Sequence, residues 1–264
     1  MGWPMQNIKS VEKAVDILSC FTIETPSLSV SEICTMTGIT QSTVSRILAT
    51  LDKKRCLERD PESGKYRLGI RFHQWKGALA QEADITDLAR PIMENLRDDC
   101  GEEVTLYVPG DGNRICAEAV KSRYGVAKIT QVGKVLPLHC GASGKVILAH
   151  LPEKTRKRIV HSGTLEKYTP KTLTDPAKLE ADLARIRTEG YAVSIGEREE
   201  GTYSVVAPVF DNSGSIAASL CISGPIFRFP EEERGRLVEA VRCAARKISM
   251  KLGSARGNEQ AHDS

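Results

Sequence analysis

The stretch Gln41-Ser42-Thr43-Val44-Ser45-Arg46-Ile47-Leu48-Ala49-Thr50-Leu51 decides the reading of the N-terminal part of the chain. Val44, Ile47, Leu48 and Leu51 stand at i, i+3, i+4 and i+7, so a helix over these residues carries one apolar stripe. At about 100° per residue, Ser42, Arg46, Ala49 and Lys53 fall on the opposite side, with Thr43 and Ser45 on its flanks. An ordinary solvated face carries longer Glu and Lys side chains. Short hydroxyls and one arginine make a face that slides into a DNA major groove, where hydroxyls bond bases or phosphates and arginine forks onto guanine. Gln41, Ser42 and Thr43 occupy the N-terminal end, which meets base edges when a recognition helix docks.

The flanking residues fit the same plan. Upstream, Ser10 reads as the cap of a helix with apolar Val11, Ala14, Val15, Leu18 and Phe21. Ser29-Val30-Ser31-Glu32 is a capping-box pattern opening a second helix, which ends at Thr37-Gly38. Thr40 caps the third. Downstream, Leu57–Asp60 and Lys65–Leu68 read as two short strands turned by Pro61-Glu62-Ser63-Gly64. Lys65 and Arg67 share one face of the second strand, Tyr66 and Leu68 the other. That is a wing whose basic face lies along a DNA backbone. Between Arg46 and Lys76, nine basic residues oppose four acids, a local +5 within a chain of net charge only +3.

The rest of the 264 residues reads as mixed α/β. A helix over 70–82, apolar at Phe72, Trp75 and Leu79 and continuing toward Ala83, is expected between two domains as a dimerisation element or a core-docking helix. Ile85–Cys100 reads as a helix, with Pro91 a point of restart. Val104–Val108 and Ile115–Ala119 read as a hairpin, followed by an extended Leu136–Cys140. Helices are expected at Glu153–His161 and Pro176–Glu189, strands at Tyr191–Ile195, Ser204–Pro208 and Ile216–Ser223, and a last helix at Glu231–Leu252. Without strict βαβ alternation, an antiparallel sheet flanked by helices is expected. The expected boundaries are 1–69 for the winged helix-turn-helix, 70–84 for the linker helix, 85–253 for the effector domain and 254–264 for a disordered tail.

Composition excludes some classes. No apolar run approaches the roughly 20 residues of a membrane span, and the N-terminus lacks the plan of a signal peptide. A cytoplasmic protein is expected. The eight cysteines lie far apart, form no C-x-x-C pair and face no His pair at zinc-finger spacing. Reduced, mostly buried thiols are expected, with a metal site built from distant parts, such as His139 with Cys140, left open. No cofactor is expected.

Gly141-Ala142-Ser143-Gly144-Lys145 resembles two phosphate and nucleophile motifs without being either. A P-loop would need Gly at position 139 and Ser or Thr after Lys145. A nucleophile elbow would need a residue between Ser143 and the next glycine. What remains is a small-residue turn into a helix, whose free N–H groups and dipole favour a carboxylate, or which serves packing alone.

Over Ser10–Leu252 the chain resembles the IclR-type family of bacterial regulators. The residues that carry the resemblance are Ser10–Leu18, Gln41–Leu51, Lys65–Gly69, Leu136–His139, Ala142–Lys145, Glu197–Val209 and Ile222–Pro225. The resemblance implies an α+β chain: an N-terminal winged helix-turn-helix joined by a linker helix to a GAF-like α/β effector domain with an antiparallel sheet. It implies a homodimer or dimer of dimers on pseudo-palindromic double-stranded operator DNA, answering to a small organic or aromatic acid. It places the acid against the N–H groups of Ala142 and Ser143, with Ser194, Ser204, Cys221 and Ser223 completing the pocket. Ser194 stands near where some relatives supply an acidic side chain. The DNA-reading set is Gln41, Ser42, Thr43, Ser45, Arg46, Lys53, Lys65 and Arg67. A repressor is expected.

Two other classes compete. An enzyme would use Cys140 or Cys221 as nucleophile and His139 as base; adjacent residues on an extended strand point to opposite faces, which sets His139 against activating Cys140. A redox sensor would need an exposed, low-pKa thiol.

Overall fold

The computed structural model describes residues 7–79, 85–163 and 165–254. Its contacts divide the chain into two units, Met1–Asp84 and Ile85–Ser264.

In the first unit, helices α1 (Lys9–Ser19), α2 (Val30–Thr37) and α3 (Gln41–Lys53) pack with strands β1 (Ser27–Leu28), β2 (Leu57–Arg59) and β3 (Tyr66–Leu68); α4 (Arg71–Leu79) follows. The strands form an antiparallel sheet in the order β1-β3-β2. Ile17, Phe21, Leu28, Ile33, Val44, Leu48, Leu57 and Tyr66 make the core. The capping box closes: the Ser29 hydroxyl accepts from the Glu32 N–H and the Ser29 N–H donates to Glu32 Oε2 at 2.7 Å. Gly38, at φ 68°, ends α2 in the left-handed conformation its lack of a Cβ permits.

Some expectations shift. Helix α1 starts one residue before Ser10, with Ile8 at the cap position and no side-chain cap. Its core contacts come from Ile17, Cys20 and Phe21, whereas Val11 and Val15 are each 55% exposed. Of the expected apolar positions Phe21 enters the core and Leu18 packs against it, while Val11 and Val15 face away; Ile17, the most deeply buried residue of the helix, was not among them. Strand β1 was not foreseen, because two residues show no alternation. In α4, Phe72 and Trp75 meet edge to face with centroids 5.3 Å apart. Ala83 and the tail beyond Ser254 lie outside the described residues.

The second unit is a six-stranded, wholly antiparallel sheet in the order β6-β5-β4-β9-β8-β7. The strands are β4 (Glu103–Pro109), β5 (Asn113–Val120), β6 (Val135–Pro137), β7 (Ala192–Ile195), β8 (Thr202–Phe210) and β9 (Ile216–Pro225). Helices α5 (Ile85–Cys100) and α9 (Glu231–Lys251) pack on one face; α6 (Ala142–His150) packs on the other, backed by α8 (Pro176–Glu189), with α7 (Glu153–Val160) beside α8. Helix α5 continues through Pro91 without a restart. Alternation assigns the faces: Val104, Leu106, Val205, Leu220 and Ile222 enter the α5/α9 core, while Tyr107, Cys116, Val206 and Cys221 enter the α6/α8 core. A bulge between Leu106 and Tyr107 keeps both sides in phase with β5. Among the described residues no helix is long and apolar enough to cross a membrane, and no three His, Cys, Asp or Glu gather to hold a metal ion.

Candidate functional site

Two sets of residues carry chemistry, one in each unit. On α3, the buried Val44 and Leu48 fix the roll of the helix, which leaves Gln41, Ser42, Ser45, Arg46, Ala49 and Lys53 exposed. Thr43 is half-buried and its hydroxyl pairs with that of Thr40 at 3.0 Å, so it braces the start of the helix. In the wing the two basic side chains already have partners. Lys65 Nζ lies 3.3 Å from Glu32 Oε1, and Arg67 Nη2 lies 3.2 Å from Glu58 Oε2. Both pairs are open to solvent and exchangeable for phosphate. Hydrogen bonds from Ser29 and Lys65 hold the Glu32 carboxyl down at about 2.

The second set lines the α6 face of the sheet. Register places Ser194, Ser204, Ser223 and Glu103 in one row across β7, β8, β9 and β4, with Val206, Cys221 and Thr105 in the next and Pro208, Ser219 and Tyr107 beyond. Ser204, Cys221 and Ser223 therefore share the face that looks toward α6. Ser194 shares it too, and its hydroxyl donates to Glu197 Oε2 at 3.2 Å. Gly141, at φ 77°, turns the chain into α6, and no side chain caps the helix. Among the described residues nothing accepts from the N–H groups of Ala142 and Ser143, both buried.

Several groups that the sequence reading did not single out gather at this turn. The Arg114 side chain, on a residue only 3% exposed, reaches from β5 under the first turn of α6, where Nη1 donates to the carbonyls of Pro137 and Cys140. Its guanidinium lies 5.3 Å from the centroid of the Tyr107 ring, its Nε has no partner, and no carboxylate pairs with it among the described residues. Burial pulls its pKa down. A Cβ on Gly144 would strike Arg114 Nη1 and come within 2.8 Å of the Pro137 carbonyl, so the small residue is what admits the arginine. Burial pushes the Tyr107 hydroxyl up to about 12.

Lys145 faces the other way. Its ammonium lies 2.8 Å from Asp182 and 2.7 Å from Glu197, in a buried group that ties α6 to α8 and to the turn after β7. Burial works against its charge, but the two carboxylates outweigh it and its pKa rises. The Thr169 and Thr172 hydroxyls donate to the Glu197 carbonyl and hold that turn, which presents Arg198 and Glu199. On the opposite side, the Thr130 N–H and hydroxyl both donate to the Glu103 carboxylate, at 2.8 and 2.6 Å, and fold the segment carrying Lys128 over the same face. The expected strand Ile115–Ala119 begins one residue after Arg114, and only the longer β5 brings Arg114 onto the face of Cys116; Arg198 was hinted at by a charged run between Gly196 and Gly201.

Chemistry at the thiols is quiet. Burial pushes the Cys140 thiol up to about 11 and the Cys116 thiol to about 12, and His139 Nε2 is engaged with the Glu166 carbonyl. What the second unit offers is an anion cradle: helix N–H groups, an uncompensated arginine and a row of hydroxyls.

Comparison with known proteins finds two domains in the same order along the chain. Residues 10–61 match the model described as IclR helix-turn-helix domain, and residues 77–250 match that of Bacterial transcriptional regulator IclR C-terminal. The chain is 34% identical to the HTH-type transcriptional regulator KipR of Bacillus subtilis over 94% of its own length and 99% of that protein's. It is 26% identical to the transcriptional repressor IclR of Escherichia coli K12, over 94% and 92%. An IclR homolog from Microbacterium hydrocarbonoxydans, solved in complex with 4-hydroxybenzoate, superposes with a TM-score of 0.79 at 27% identity, over 92% of this chain and 98% of that one. These relatives are regulators, not enzymes. With both of its halves matched in order along nearly the whole length, the chain belongs to the IclR family of bacterial transcriptional regulators.

Proposed function

We propose that this regulator is a repressor which reads a pseudo-palindromic operator as a homodimer or dimer of dimers and answers to a small organic acid, aromatic or aliphatic. Residues 1–69 bind the DNA, 70–84 link, and 85–253 sense the acid. Gln41, Ser42, Ser45 and Arg46 approach base edges, while Thr43, Lys53, Lys65 and Arg67 serve the backbone. In the second unit, the N–H groups of Ala142 and Ser143 meet the carboxylate, and Ser194, Ser204, Cys221 and Ser223 line the remainder of the pocket. The protein works in the cytoplasm, where its operator is.

The observation that carries the acid is Arg114. A guanidinium buried without a carboxylate, beside the positive end of a helix, is costly unless an anion joins it. The ligand named for the Microbacterium relative, 4-hydroxybenzoate, has that chemistry and supports the reading. Differential affinity of the acid for two arrangements of the protein, worth about 1–3 kcal/mol of coupling, would then shift operator occupancy.

Selection from random-sequence duplexes at two salt concentrations, with and without a panel of organic acids, tests this. A palindromic motif whose affinity falls steeply with salt and changes with an acid is the expected result. Enrichment of no motif under any condition would refute the operator-reading assignment. A motif indifferent to every acid would refute the effector assignment.

A further inference from the structure

We propose that the effector is a small dicarboxylate, with one carboxylate at the α6 N-terminus on Arg114 and the other on Lys128 and Arg198. This rests on the acid-responsive reading above and narrows it.

The first pole is the cradle already described. The second is built by two segments that close over the same face of the sheet. Lys128 and Arg198 both turn to a single carboxylate, Glu199, at 3.9 and 3.0 Å. Their side chains are 19% and 21% exposed, whereas that of Glu199 is 52% exposed. One solvent-screened carboxylate thus serves two largely buried cations. Arg198 stands beside the first pole: its Cβ is 3.8 Å from where a Cβ on Gly141 would lie. Arg114 and Lys128 are each within electrostatic reach of both Arg198 and Cys221, so both poles lie near the Cys221 row of the sheet.

The remaining charges do not cancel them. Lys145 and Arg185 balance Asp182 and Glu197 within their own group. Glu103 also faces Lys128, but both of its carboxylate oxygens already accept from Thr130. Arg114 thus has no carboxylate partner, while Lys128 and Arg198 share Glu199. On the same face of the sheet, the Thr105 and Ser219 hydroxyls are fully buried and have no partner, which suits a polar ligand there. An acid with one carboxylate, such as 4-hydroxybenzoate, would occupy the first pole and leave Lys128 and Arg198 on Glu199.

The test is calorimetric titration of the full chain with length-matched pairs: succinate against butyrate, glutarate against valerate, and terephthalate against 4-hydroxybenzoate. In at least one pair the dicarboxylate is expected to bind tighter by about tenfold or more, the scale of one added charge-assisted hydrogen bond. In Lys128→Gln and in Arg198→Gln that ratio is expected to fall toward one; two variants guard against either failing to fold. Parity or a preference for the monocarboxylate in every pair would overturn the inference, and so would a ratio that survives both substitutions. So would 2-phosphoglycolate binding tighter than every dicarboxylate, since it would make the second anion a phosphate. Monocarboxylate binding without a dicarboxylate margin sinks this inference alone and leaves the acid-responsive regulator standing. Binding by no acid at all sinks both effector readings, while the operator selection is unaffected.

Discussion

At the scale of single residues, the pocket turns on how closely α6 approaches Arg114. Gly144→Ala places a methyl group against Arg114 Nη1 and the backbone carbonyls of Pro137 and Leu138. The guanidinium must leave the turn. The expected outcome is a loss of acid affinity of about tenfold or more with operator affinity retained, read by titrating acid and duplex separately. Glu103 gives a pH prediction. Burial raises its folded pKa above the ordinary 4.5, so the folded state holds its proton more tightly than the unfolded chain does. That stability is present below 4.5 and is lost as pH rises through the folded pKa. Glu103→Gln is expected to flatten that limb of the Tm against pH curve; an unchanged slope would remove Glu103 as its source. Of these groups the residues alone made only the small-residue turn legible, and the hydroxyls of the strands came with the family resemblance. Arg114, Lys128 and Arg198 were hidden because burial of a charge depends on segments far apart in the chain. Arg114 reaches Cys140, and Lys128 reaches Glu199.

At the scale of elements, local rules succeeded where they are strong. The capping box, the glycine stop of α2 and the i, i+3, i+4, i+7 stripe of α3 need only neighbouring residues, and all three appear in the structure. They were only partly right at α1, where Phe21 and Leu18 meet the core but Val11 and Val15 do not, and they missed β1, which exists only because β3 offers it an edge. Ser29→Ala removes the acceptor for the Glu32 N–H and is expected to cost the first unit about 1 kcal/mol, measured by denaturant unfolding. On α3, Arg46→Ala is expected to lose about 1–3 kcal/mol of discrimination at one base position while the second unit still binds acid. Equal operator affinity in variant and parent would sink the recognition-helix assignment. The wing is more constrained than a basic strand suggests. Since Glu58 already neutralises Arg67, Glu58→Gln is expected to strengthen non-specific duplex binding and steepen its salt dependence by up to about one phosphate equivalent.

At the scale of the whole molecule, a palindromic operator requires two reading helices, and so a surface that joins copies. In the first unit the exposed apolar stripe on α1 is the candidate we predict for that surface. Ile8, Val11 and Val15 are 67%, 55% and 55% exposed, and a groove of about 730 Å³ between α1 and α3 includes Val11, Val15, Leu18, Ile47 and Leu51 in its walls. None of these residues except Leu18, Ile47 and Leu51 contributes to the packed core of the unit, and those do so from its margin. Val15→Glu therefore leaves the fold intact while setting a charge on the joining face. Sedimentation is expected to show dissociation at concentrations where the parent stays associated. Affinity for a full palindrome should drop steeply, and affinity for an isolated half-site should change far less, because Val15 is on α1, although Arg46 of the reading helix borders the same groove. If the variant stays associated and binds the full palindrome as the parent does, α1 is not the joining face. If half-site affinity falls along with the palindrome, the substitution has damaged the reading unit itself. The two duplexes thus separate assembly from recognition, which a single operator titration would merge.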